Sequence, residues 1–158
     1  MIKVTSKIMF VLSLYLVLVS NSCKEDFPAR IETIHVVNNA DHNIESAVPY
    51  THGPFYPDTA LTEIVTGSMQ KTPPGRNAYY DHHGTGSLAA LIESTPEGLI
   101  SIYVFHPDTL ANYSDQEIIN DYNVLTRYDL SLSDLETLDF FVPYPPSEAM
   151  NEMQIYIP

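Results

Sequence analysis

The 158-residue chain is poor in cysteine, with one, in tryptophan, with none, and in basic residues, with seven Lys+Arg against 20 Asp+Glu. A single cysteine excludes an intramolecular disulfide and any multi-cysteine metal centre. The shortage of cations, at a formal charge of −13, argues against nucleic acid as a partner, because phosphate contacts need clustered Lys and Arg. No serine stands in a Gly-x-Ser-x-Gly setting, and Gly84-Thr85-Gly86-Ser87 lacks the lysine of a phosphate loop. Neither a serine nucleophile nor a nucleotide cofactor is therefore indicated, and no cofactor is expected. What is present is a 44% hydrophobic composition with 11% aromatics, too apolar for a disordered chain and suited in length to one domain.

The N-terminal residues read as an address. Lys3 and Lys7 precede Ile8 to Val19, a stretch without charge, and Ser20-Asn21-Ser22 leads to Cys23. A basic start, an apolar stretch and small residues at the end make up a secretory signal. The apolar stretch is shorter than the ~20 residues that a membrane-spanning helix needs. With the lone cysteine at its end, residues 1–22 resemble a bacterial lipoprotein signal peptide, although Ser20 stands where that pattern has Leu or Val. The resemblance implies that Cys23 is acylated, for example with palmitate, and becomes the first mature residue. Lys24-Glu25-Asp26-Phe27 resembles the Lys-acidic-acidic-aromatic tag that sends Bacteroidota lipoproteins to the outer face of the outer membrane. Loss of Lys3 and Lys7 would leave five basic residues against 20 acidic ones, a net charge of −15. Such a surface does not adhere to anionic lipid. Contact with the membrane is therefore expected through the lipid anchor, which holds stably only with more than one acyl chain.

Residues 23–30, with Pro28 and no periodicity, read as the lipidated cysteine and a tether, and residues 31–158 as one β-rich globular domain. Residues 32–37 alternate, with Ile34 and Val36 on one face, and stop at Asn38-Asn39-Ala40-Asp41. Residues 44–48, ended by Pro49, are expected to be the hairpin partner of that strand. Residues 61–65 and the apolar run 88–92 also read as strands. Leu99 to Phe105 is apolar on both faces apart from Ser101, as a central, doubly covered strand should be. Residues 140–142 and 153–157 complete the strand set. A short helical insert is expected at about 114–138. Ser114 with Glu117, and Ser131 with Asp134, form capping boxes, and Ile118, Tyr122 and Leu125, then Leu132, Leu135 and Leu138, follow at helical spacing. The expected architecture is mainly β, a single β-sandwich of Ig-like or transthyretin-like kind with its helices in one crossover.

The segment Arg127 to Leu138, with Tyr144-Pro145-Pro146 and Phe105 to Leu110, resembles small surface lipoproteins of Bacteroidota, as does Tyr56-Pro57-Asp58-Thr59 upstream. The resemblance runs mainly over residues 99–146. It implies export and a small β-rich domain, and it supplies no catalytic residue.

Three groups of residues could carry chemistry. Asp81-His82-His83 is the densest set of metal-ligating side chains, with His35, His52 and His106 as distant candidates to complete it; a small exported hydrolase or a metal-binding protein would use it. Asp58 and Asp108, in related Pro-Asp-Thr turns, could pair as carboxylates, though turn formation accounts for both segments. Residues 106–152 hold ten carboxylates and one basic residue, Arg127. There Asp129, Ser131, Ser133 and Asp134 resemble a calcium set without its glycine or distal glutamate. The aromatic residues point elsewhere. Tyr50, Tyr56, Tyr79 and Tyr80 lie in a Pro-broken middle region, and exposed tyrosines stack on sugars and anchor protein interfaces. The favoured expectation is a non-enzymatic, surface-displayed binding or accessory module for a protein or a glycan, with the hydrolase as the alternative.

Overall fold

The computed structural model describes residues 33–49, 61–62, 64–65, 67, 69–82, 86–95 and 97–158. Cys23, the Lys24-Glu25-Asp26-Phe27 tag, Tyr50, His52, Tyr56, Asp58 and His83 lie outside them.

The described residues form two sheets and a few short helices, a mainly-β fold within one unit, Ile31–Pro158. The small sheet has β1 (Thr33–Asn38) at its centre, antiparallel to β4 (Asn77–Asp81) and parallel to β7 (Phe141–Tyr144). The large sheet runs β3 (Gln70–Thr72), β2 (Ile44–Ala47), β5 (Leu99–Phe105), β6 (Thr126–Ser131) and β8 (Gln154–Tyr156), antiparallel throughout. Successive strand residues point to opposite faces. Ile34, Val36, Tyr80 and Val142 of the small sheet accordingly share one core with Ile44, Ile100, Ile102, Val104, Tyr128 and Leu130 of the large one.

Three polar links tie the sheets together within that core. The Tyr80 hydroxyl of β4 donates to the Ser46 carbonyl of β2. The Tyr128 hydroxyl of β6 donates to the Pro143 carbonyl of β7 at 3.0 Å. Asn38, fully buried at the end of β1, donates to the Thr72 carbonyl of β3 at 2.8 Å. Each removes a desolvation cost that an unpaired polar group would impose.

β5 is covered on both faces, as its sequence predicts. Its other face, Tyr103 and Phe105, packs with Ala47, Leu61, Ile64, Ile118 and Val124 in a second core. Ile118 comes from α3 (Asp115–Asp121), which follows α2 (Pro107–Asn112). Both capping boxes form, Ser114 with Glu117 on α3 and Ser131 with Asp134 on α4 (Leu132–Thr137).

Several expectations need correction. Residues 44–48 do not pair with β1; β2 joins the other sheet, and the turn at residues 39–43 carries the chain across. The run at 88–92 is the helix α1 (Leu88–Ser94), because Ser87 caps the Ala90 amide and Leu88, Leu91 and Ile92 recur at helical spacing. Leu61, Thr62, Ile64 and Val65 are helical too, Leu61 and Ile64 being buried three residues apart. The single insert at 114–138 is two helices split by β6, where Thr126, Tyr128 and Leu130 alternate into the core. Leu125 falls outside α3, which ends with Tyr122 in the left-handed conformation (φ 52°, ψ 47°). The strands β3 and β4 escape the sequence reading. Between them the Arg76 amide donates to the Pro73 carbonyl with Gly75 at φ +69°, a type II turn of Pro-Gly kind.

Candidate ligand-binding face

The strand β4 separates the two neighbouring tyrosines. Tyr80 points inward and is 6% exposed, whereas Tyr79 points outward and is 57% exposed. Burial pushes the Tyr80 hydroxyl up to about 12, against the hydrogen bond from Ser46. Tyr80 is therefore a core residue, which corrects the expectation that it meets a ligand.

Outward from the small sheet stand Thr33, His35 and Val37 on β1, Asn77, Tyr79 and Asp81 on β4, and Phe141 and Pro143 on β7. Register aligns Tyr79, His35 and Phe141 in one row across the three strands. The His35 and Phe141 rings stack, with centroids 4.3 Å apart and planes 10° from parallel. Tyr79 meets His35 edge-on at 5.1 Å. Phe141 remains 46% exposed although one ring face lies against His35. His35 Nδ1 is buried between its neighbours and has no hydrogen-bond partner. Asp81, at the end of the face, accepts from the Thr33 hydroxyl.

Side chains occupy both edges of this sheet. At β4 the Gln70 amide donates to the Tyr79 carbonyl and accepts from the Tyr79 amide. At β7 the Phe141 amide donates to the Leu138 carbonyl, Pro143 has no amide hydrogen, and the Pro143 carbonyl is taken by Tyr128. Open backbone groups on an edge strand are what recruit a further strand. Those pairings take the middle of the β4 edge and part of the β7 edge, and the outward side chains are the rest of what the sheet presents.

Among the described residues the expected ligating and acidic groups do not assemble. Asp81 and His82 adjoin at the end of β4 beside Thr33, and His83 lies outside the described residues. Asp108 opens α2 after β5 of the other sheet, where His106 Nδ1 accepts from its amide and Pro107 takes the first helical position. The Pro-Asp-Thr segment there is a helix start and not a free turn. His106 contacts His42 with ring centroids 5.2 Å apart, and His42 Nδ1 bonds Asp41 at 2.9 Å, holding that carboxyl below its ordinary value. His35 packs in the aromatic row between Tyr79 and Phe141. Among the described residues no group of three or more His, Cys, Asp or Glu could hold a metal ion.

The calcium-like set has structural work instead. Asp129 accepts from Arg127 Nε and Nη2 at 3.0 and 2.7 Å and from the Ser101 hydroxyl at 2.7 Å. Asp134 caps α4. The guanidinium of Arg127 also donates to the Tyr122 hydroxyl at 2.7 Å and lies over the Tyr122 and Tyr156 rings. Burial alone would lower the Arg127 pKa; the hydrogen bond and charge of Asp129 outweigh it and raise the value. A shallow apolar depression lined by Pro49, Leu91, Ile92, Thr95, Ile100 and Ser101 takes in none of Asp81, His82 or Asp108 and has no room for even a water molecule, far short of the ~300–1,000 Å³ of ordinary ligand pockets.

Sequence reasoning missed Phe141 and placed His35 only as a metal candidate. The alternation of β1 is sufficient to turn His35 away from Ile34 and Val36. No comparable signal exists for Phe141, because Phe140 and Phe141 are adjacent and only the pairing with β1 decides which one faces out. No family model matches the chain, and no curated protein and no solved structure proves similar to it.

Proposed function

We propose that this chain is a lipid-anchored, surface-displayed and non-enzymatic binding module of the outer membrane, whose body is a β-sandwich of Ig-like or transthyretin-like kind. Cys23 carries the acyl chains, and Lys24, Glu25, Asp26 and Phe27 direct display at the cell surface. The observation that carries the binding role is the uncovered row of Tyr79, His35 and Phe141. Aromatic side chains supply large contact area at little entropic cost, which is why they anchor interfaces. A core that needed these rings would have covered them, as it covers Tyr103 and Phe105.

The test has two parts. Metabolic labelling with radioactive palmitate should mark the wild type and leave Cys23→Ser unlabelled; label that persists in Cys23→Ser defeats the anchor. The lipidated protein displayed on intact cells should retain a partner that the Tyr79→Ala/Phe141→Ala variant loses. Recovery no greater than with an unrelated lipoprotein defeats the binding module.

A further inference from the structure

Resting on the binding role just proposed, we infer that the Tyr79–His35–Phe141 face takes an uncharged oligosaccharide, and not a protein or a polyanion. Charge is the first ground. The chain has 20 acidic residues and a net charge of −13, yet of the eight outward positions only Asp81 bears a carboxylate and none is Lys or Arg. A polyanionic ligand meets repulsion from the molecule as a whole and finds no cation on this face. A cationic partner finds a single carboxylate, already shared with Thr33. A neutral ligand is the one that matches.

Size is the second ground. Three strands ~4.8 Å apart, with ~3.3 Å per residue along each, give a face of about 200 Å². A stable protein–protein interface needs about 800 Å² from each partner. The footprint of the sheet is well below that, and Gln70 and Tyr128 already hold backbone groups of β4 and β7 that a partner strand would need. A short run of sugar rings needs no such area.

Chemistry is the third ground. A sugar presents apolar C–H faces that pack on aromatic rings, and hydroxyls that need polar partners around them. Here two exposed rings, Tyr79 and Phe141, flank the row, and Asp81, Thr33 and Asn77 supply acceptors and donors beside it. His35, packed between the two rings, holds them at fixed separation.

The full lipidated protein in detergent is applied to an array of neutral hexose and pentose oligosaccharides with uronic-acid oligosaccharides alongside. At least one neutral oligosaccharide should bind. Tyr79→Ala and Phe141→Ala should each weaken that binding about tenfold, the equivalent of ~1.4 kcal/mol, while Tyr79→Phe retains most of it. Thermal midpoints near that of the wild type would show that the variants fold. The inference is overturned if no neutral oligosaccharide binds, if only the uronic-acid series binds, or if binding survives both alanine substitutions. An intact-cell partner that depends on Tyr79 and Phe141 but resists periodate oxidation of glycans also overturns it, and leaves the binding module standing.

Discussion

The large and small sheets are built from the same materials and finished differently. On the large sheet, β5 places Tyr103 and Phe105 away from the shared core, and α3 with the helical residues around Leu61 and Ile64 covers them completely. On the small sheet, β1 and its neighbours place His35, Tyr79 and Phe141 in the equivalent position, and the row stays half open to solvent. Both sets include a near-parallel stacked pair, Tyr103 with Phe105 at 6.4 Å and His35 with Phe141 at 4.3 Å. Ring chemistry therefore does not decide which set is core. The covering layer does: Tyr103 and Phe105 have one, whereas Tyr79 and Phe141 stay exposed.

The sharpest way to probe this difference is to make one substitution on both sides. Phe105→Ala should cost about 3–5 kcal/mol, because a fully buried ring leaves a cavity. Phe141→Ala should cost about 1 kcal/mol, the worth of a stacked pair at an exposed site. Chemical denaturation of the two variants checks the contrast, and equal losses would mean that the small sheet's face is packing and not a free surface.

A second effect, somewhat smaller, tests the polar side of the covered face. The side chains of Arg127 and Asp129 are 11% and 17% exposed. Asp129→Asn leaves the guanidinium without its carboxylate and should cost about 2–3 kcal/mol, below the value for a fully buried pair. A urea midpoint unchanged from wild type would show the pair to be energetically idle.

The smallest effect concerns the cover itself. The Ser114 backbone amide, and then its hydroxyl, hold the Glu117 carboxyl below its ordinary value at the start of α3. Because the folded state depresses this pKa, the stabilisation is complete above the usual carboxylate range and disappears as pH falls through the folded value. The stability difference between wild type and Glu117→Gln should therefore shrink on acidification, and a difference constant with pH would remove Glu117 from the capping role.

How much of this could be read beforehand depends on whether the deciding interaction is local. The capping boxes at Ser114 and Ser131 span three residues, and both form as their sequences imply. The doubly apolar pattern of Leu99 to Phe105 needs only a covering layer on each side, and that strand occupies the centre of its sheet. The runs at 61–65 and 88–92 misled because a short apolar run fits a strand and a helix equally well, and in the second case the Ser87 cap decides between them. The neighbouring Tyr79 and Tyr80 misled for another reason. Adjacent residues on a strand diverge, so Tyr80 enters the core while Tyr79 stays at the surface.

The amino-acid sequence by itself determined the acidic balance, the central strand, the two capped helices and the inward alternation of Ile34 and Val36, because each depends on composition or on neighbours a few residues apart. Only the tertiary structure decided that β1 pairs in parallel with β7, residues more than a hundred positions away, and that Tyr79 and Phe141 on the outer face of this small sheet stay exposed. That pairing aligns Phe141 with His35, and Tyr79 completes the row from the opposite side. The proposed binding face, assembled across three strands distant in sequence, leaves no local pattern, since the register between strands is fixed by packing of the shared core and not by any one segment.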